Sequence, residues 1–257
     1  MKYDRYTREQ KEIVRKLSEE GLSKSAIARA TNIPRATLRN WISPRYIKVN
    51  ASCTKCDVIY NPIDYLDTPL KKQAYSFILG VYLCDGHISR LKYRAPCMRL
   101  FNDLKYPKNT NEWASKLKIL FPDNSVNIHK RNYSNSTVVL VYSNKLISLF
   151  PQHGTGKKHD RKIQLLPWQQ SILDEFPSEF IRACIQSDGC IYLNQGKYKQ
   201  YAFTNKSEDI MDIFIKTLQL VGIEKNKYWA AKKEVFVAQN FKSNYRTILE
   251  DIIHSKE

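Results

Sequence analysis

The sequence predicts an α+β protein in which one αββαββα unit occurs twice about a pseudo-twofold axis, preceded by a small all-α three-helix domain. Three observations carry that prediction. Three short amphipathic helices fit residues 7–42; two apolar segments ending in Asp-Gly superimpose at a constant offset of 103 residues; and alternating helix and strand patterns follow each of them. The expected boundaries are 1–46 for the helical domain, 47–72 for a linker, and 73–166 and 167–257 for the two halves.

A chain of 257 residues with 42% hydrophobic content can bury one two-lobed core and a small appendage. Its 42 Lys and Arg against 25 Asp and Glu give +17, an excess that favours a polyanionic partner through steering and counterion release. No apolar, amphipathic or lipidation segment suggests a membrane, and the N-terminus MKYDRYTREQ has no apolar h-region, so an intracellular, cytoplasmic location is expected. Six scattered cysteines do not form a disulfide scaffold.

In the N-terminal domain Thr7 is expected to cap a first helix with Gln10 three residues on, and the helix stops at Gly21. Its apolar stripe is Ile13, Val14 and Leu17. Ser23 caps a second helix bearing Ala26, Ile27 and Ala30, and the turn Thr31-Asn32-Ile33 leads to a third helix over 34–42. There Leu38, Trp41 and Ile42 face inward, leaving Arg35, Thr37, Arg39 and Asn40 for a DNA major groove. The pattern AIARATNIPRATLRNWI resembles the homeodomain-like helix-turn-helix of resolvases and many bacterial regulators. Residues 1–48 hold 12 basic against 5 acidic side chains, a net +7.

From 43 to 72 the pairs Asn61-Pro62 and Thr68-Pro69 discourage regular structure, so the segment reads as a connector. Cys53 and Cys56 supply half of a tetrahedral zinc site with no second pair nearby, leaving zinc or two reduced thiols as alternatives.

YSFILGVYLCDGHI (75–88) and SEFIRACIQSDGCI (178–191) share Phe, Ile, Asp, Gly and Ile, and hold the two Asp-Gly dipeptides of the chain. Gly80 in one helix, with Ala183 and Ser187 in the other, suits close backbone approach. Asp85 and Asp188 then converge at two helix C-termini, where the dipole disfavours carboxylates unless a cation lies between them. The carboxylates, with the carbonyls of Gly86 and Gly189, suit a hard ion such as Mg²⁺. Strands are expected over 93–101, 126–142, 190–204 and 226–238, and helices over 110–121, 144–150, 207–221 and 243–253. His87 and Cys190 are expected to begin strands with buried or partly buried side chains rather than to act chemically.

ILGVYLCDG and IRACIQSDG resemble the two LAGLIDADG motifs of single-chain homing endonucleases, and the resemblance spans about residues 70–257. It implies a saddle of two antiparallel sheets astride double-stranded DNA, Asp85 and Asp188 binding two or three Mg²⁺ ions at the motif helix ends, and phosphodiester hydrolysis by a monomer. Leu83 and Gln186 stand where the first acid of the motif falls. By the same resemblance Lys158, Lys162 and Lys232 or Lys233 are the basic residues beside the acids, with Lys157 in a run that also suits a DNA-backbone contact. Tyr192, Asn194, Lys197, Tyr198, Lys199 and Tyr201 suggest a sheet face laid along the major groove. A site-specific endonuclease is the expected activity, with no small-molecule substrate. A DNA-binding transcription regulator without cleavage is the alternative, suggested by Cys84, Arg182 and Gln186 within the motifs. An RNA-binding maturase is a third reading, disfavoured by a helix-turn-helix that reads duplex grooves.

Overall fold

The structure, a computed structural model, describes residues 6–42, 61–90, 94–132 and 134–254. They fall into two compact units, one containing 6–42, the other containing 61–90 and the described residues from 95 on. Cys53 and Cys56 lie outside the described residues.

In the first unit α1 (Arg8–Glu19) opens on a capping box in which Thr7 Oγ accepts from the Gln10 amide and Gln10 Oε1 from the Thr7 amide. Ser23 caps α2 (Lys24–Thr31), and Asn32 turns the chain at φ 53° toward α3 (Arg35–Trp41). Val14, Ile27, Ile33 and Leu38 make the core, joined at its edge by Leu17, Trp41 and Ile42. Two residues depart from the expected stripe. Ile13 is 52% exposed and Ala30 is exposed, because three short helices enclose roughly one buried side chain each.

The second unit begins with α4 (Pro62–Tyr65) and α5 (Pro69–Asp85). The Asn-Pro and Thr-Pro pairs therefore start helices rather than interrupting structure. Asn61 and Thr68 accept from the Ile63 and Lys71 amides, and each proline occupies a first-turn position whose missing N–H costs nothing.

After α5 come β1 (Gly86–Ser89), β2 (Cys97–Asp103), α6 (Pro107–Leu120), β3 (Val126–Lys130), β4 (Ser136–Tyr142) and α7 (Leu146–Leu149). The second half repeats the order with α9 (Pro177–Ser187), β5 (Gly189–Asn194), β6 (Tyr198–Asn205), α10 (Glu208–Leu220), β7 (Tyr228–Ala230), β8 (Val235–Gln239) and α11 (Ser243–His254). An unexpected helix, α8 (Pro167–Glu175), precedes α9, and β1 begins well before the strand expected from residue 93. The sheets are antiparallel, ordered β1-β2-β4-β3 and β5-β6-β8-β7. Gly86 pairs with Leu100 and Gly189 with Phe203, so the 103-residue offset extends into the strand registers.

Helices α5 and α9 pack against each other inside one continuous core of both halves. A Cβ added at Gly80 would lie 2.8 Å from Ala183 Cβ and 3.0 Å from the Phe180 carbonyl, so glycine sets the approach of the two helices. Gly86 leaves α5 extended (φ −99°), not left-handed. Glycine is required there because a Cβ would meet Tyr82 Cα at 2.5 Å; at Gly189 it would collide with the Ile185 backbone.

Candidate active site

Asp85 ends α5 and Asp188 follows α9 as its C-cap, so the pairing of the helices brings both carboxyls to one end of the bundle. Burial, reinforced by the charge of Asp188, pushes Asp85 up to about 7, against the pull of Lys158. Burial also raises Asp188, opposed by hydrogen bonds from Asn205 and the Cys84 thiol and by the Lys158 charge. Asn205 Nδ2 donates to Asp188 Oδ2 at 2.7 Å.

Lys158 stands in a 3₁₀ turn, Lys158–Asp160, of the segment joining the halves. Its Nζ donates to the carbonyls of Tyr82 (2.5 Å) and Gly86 (2.6 Å) and lies 4.9 Å from the centre of the Tyr82 ring. The Tyr82 carbonyl also accepts from the Gly86 amide, so Lys158 shares it, and a cation at this helix C-terminus complements the negative end of the dipole. Burial lowers Lys158 to about 8 although both aspartates favour its charge.

The other expected basic residues are placed elsewhere. Lys162 pairs with Asp209 on α10 at 2.5 Å, Lys157 is exposed, and Lys232 and Lys233 sit exposed in a 3₁₀ turn between β7 and β8. His87 and Cys190 lie on β1 and β5 but are exposed, correcting the expectation of burial.

Two hard carboxylates and nearby helix-end carbonyls fit a hard divalent ion chemically, and their mutual charge is what such an ion would neutralise. Among the described residues no three or more His, Cys, Asp and Glu side chains are arranged to hold a metal ion by themselves, so further ligands would be carbonyl, phosphate or water oxygens. The Gly86 carbonyl already accepts from Lys158, leaving it one lone pair.

Arg182 and Gln186 belong to packing. Arg182 pairs with Glu112 and, at 2.6 Å, with Glu179; Lys116 reaches Glu179 at 3.0 Å and Gln73 reaches it at 2.7 Å. Gln186 donates to Glu112 and accepts from the Trp113 indole. This cluster ties α6 to α9 beside an open cleft of about 1270 Å³ that Asp85, Asn109, Gln186 and Gly189 help to line.

In the second sheet Tyr192 lies opposite Gln200 and Asn194 opposite Tyr198 on one face. Tyr201 is fully buried in the core and Lys199 pairs with Glu250 on α11, so both belong to the helix-covered face, contrary to the expectation of a single contact surface. Lys197 is in the β5–β6 turn. In the first unit Arg35 and Arg39 are exposed on α3, Thr37 is half-buried, and Asn40 belongs to the same helix.

The solved structures settle the architecture. Mesophilic variants of the homing endonuclease I-DmoI match at 15% identity and TM-score 0.52, over 73% of this chain and 98% of theirs. An I-DmoI variant bound to its target DNA in the presence of Mg matches at 14% identity and TM-score 0.54, over 74% and 100%. I-DmoI with DNA and Mn matches at 14% and 0.53, over 73% and 99%. The chain has the LAGLIDADG fold.

In agreement, a LAGLIDADG-like domain family model matches residues 175–253, the second half of that fold. A helix-turn-helix family model described as Transposase matches residues 1–48. No curated protein matches the sequence. No helix among the described residues is long and apolar enough to cross a membrane.

One pair escaped the sequence reading. Asn102 and Asn205 are separated by the same 103 residues as the acids, at equivalent places in β2 and β6. Extending the repeat past the Asp-Gly dipeptides would have found them.

Proposed function

We propose that this protein is a site-specific, divalent-metal-dependent double-strand DNA endonuclease, acting as a monomer whose two halves each present one acid. The observation that carries this reading is the convergence of Asp85 and Asp188 at paired helix ends, each partly buried and both under the charge of one lysine. Such an arrangement is electrostatically unfavourable without a ligand, and structural economy alone does not explain it.

Asp85 and Asp188 are the residues to hold Mg²⁺, which when bound supplies a Lewis acid for phosphodiester hydrolysis. Lys158 contributes a fixed positive charge where negative charge gathers on the scissile phosphate, and its carbonyl contacts keep that charge in place. Water adds to phosphorus as the bond to the leaving oxygen breaks, its hydroxyl staying on phosphorus and its other proton ending on the leaving oxygen. Tyr192, Asn194 and Lys197 offer groove contacts, Lys157 a phosphate contact, and Arg35, Thr37, Arg39 and Asn40 a second, separate reading of the target. The distribution of work suits a protein whose catalytic fold and recognition helix engage one duplex.

Cleavage of a randomised duplex library and of DNA flanking the protein's own gene, with Mg²⁺ or Ca²⁺, tests the reading beside an Asp85→Asn/Asp188→Asn variant. Breaks that require Mg²⁺ and vanish in the variant are expected. Tight, salt-sensitive binding without any break would instead identify a DNA-binding regulator.

A further inference from the structure

We propose that Asn205 is a positioning residue that prepares Asp188, and that its pseudo-equivalent Asn102 does not do the same for Asp85, so that the two DNA strands are cut at unequal rates. This rests on the endonuclease reading and gives its two sites different standing.

Asn205 is held at both ends of its amide. Its Oδ1 accepts from the Ser207 amide at 2.8 Å, and its Nδ2 donates to Asp188 at 2.7 Å. Ser207 is itself fixed as the N-cap of α10, accepting from the Ile210 amide. The backbone bond thus sets which end of the amide is oxygen and turns the nitrogen, with one of its two N–H donors, toward the carboxylate. Thr204 adds its amide and hydroxyl to the Asp188 carbonyl, both at 3.4 Å. Asp188 therefore reaches the site with its rotamer constrained from β6 and α10 together.

Asn102 occupies the same strand position and makes different bonds. Its Nδ2 donates to the Tyr106 carbonyl and to Thr110 Oγ1, both at 2.8 Å, so its donor is spent within its own turn and helix. The cause lies in the chain. Helix α10 begins three residues after Asn205, whereas α6 begins five residues after Asn102, at Pro107. The longer turn Asp103-Leu104-Lys105-Tyr106 presents a carbonyl to Asn102, and no serine cap anchors the amide toward Asp85. Asp85 instead borders the open cleft beside α6.

A carboxylate held in one orientation needs less rearrangement to enter a reactive geometry, so the site built on Asp188 is the better prepared of the two. Losing a hydrogen bond to a charged group corresponds to about a tenfold to hundredfold loss in the step it supports.

The test follows both strands of one end-labelled duplex carrying the protein's cleavage site, with Mg²⁺, for the parent, Asn205→Ala and Ser207→Ala. The ratio of the two strand rates within one tube does not depend on the folded fraction, so partial misfolding leaves it readable. The parent is expected to accumulate nicks on one strand, and Asn205→Ala to slow that strand by about tenfold or more while sparing the other. Ser207→Ala should move the ratio in the same direction by less. Equal strand rates in the parent, or equal slowing of both strands in Asn205→Ala, overturn the proposal and leave the endonuclease reading standing. Binding without any break overturns both.

Discussion

The two halves share a fold and a strand register, yet they hold their motif helices by different means. In the first half α5 is almost wholly apolar where it meets the core, with Leu79 at the position equivalent to Arg182 and Ser76 at that of Glu179. In the second half α9 carries that arginine and glutamate into the interior, where Glu112 and Lys116, both from α6 of the first half, complete the charges. The reverse contact differs: α10 is bound through Asp209 to Lys162 and the Ile163 amide of the segment between the halves. A duplicated architecture thus keeps its backbone geometry while its polar contacts diverge, because the registers are fixed by the sheet and the side chains are not.

The largest effect should come from breaking the buried cluster. Arg182→Met removes the cation shared by Glu112 and Glu179, leaving Glu179 to Lys116 and Gln73 and Glu112 to Gln186, and is expected to destabilise the protein by about 3 kcal/mol. Chemical denaturation as a function of pH distinguishes this from simple loss of packing. Arg182 and Lys116 hold Glu179 below the ordinary carboxylate range, so the part of the deficit that comes from this charge should shrink as pH falls through that range and Glu179 protonates, whereas Leu79→Ala at the equivalent position should cost about 2–5 kcal/mol with no such pH dependence.

A smaller loss should follow from disturbing what the halves share. Gly80→Val places methyl groups against Ala183 Cβ and the Phe180 carbonyl, with an expected cost of about 1–3 kcal/mol. Thermal unfolding reads it directly, and an unchanged melting temperature would mean the helices can separate without penalty.

The effect at the acids is no larger, and its sign is opposite. Asp85 is raised from the ordinary carboxylate range to about 7, so the folded protein retains a proton that the unfolded chain has lost between about pH 4 and pH 7. Stability associated with this group is present at pH 4 and is lost as pH rises through 7. Without divalent ions, Asp85→Asn should therefore match the parent near pH 4 and exceed it at pH 8 by about 2 kcal/mol, less than the shift alone implies because the amide stays equally buried. Asp188→Asn should gain less, since it gives up the bonds from Asn205 and Cys84. A larger gain at Asp188 would reverse the ranking of the two carboxyls.

Much was legible in the residues themselves. The Thr7 and Ser23 caps, the glycine contact at Gly80 and the repeat of Asp85 at Asp188 are local or periodic signals, and backbone sterics act on them the same way in any setting. The prolines at 62 and 69 were visible but ambiguous, since the same residue that ends one element can open the next. Other features needed the folded chain. The choice of Lys158 over Lys162 as the cation beside the acids depends on where the joining segment crosses the end of α5, and the face taken by Lys199 depends on the register of β5 with β6. The role of Arg182 depends on which helix of the other half it meets. Those are contacts between residues far apart in sequence, set by the packing of α5 on α9. Sequence fixes which helices can approach closely; only their approach decides which charges become neighbours.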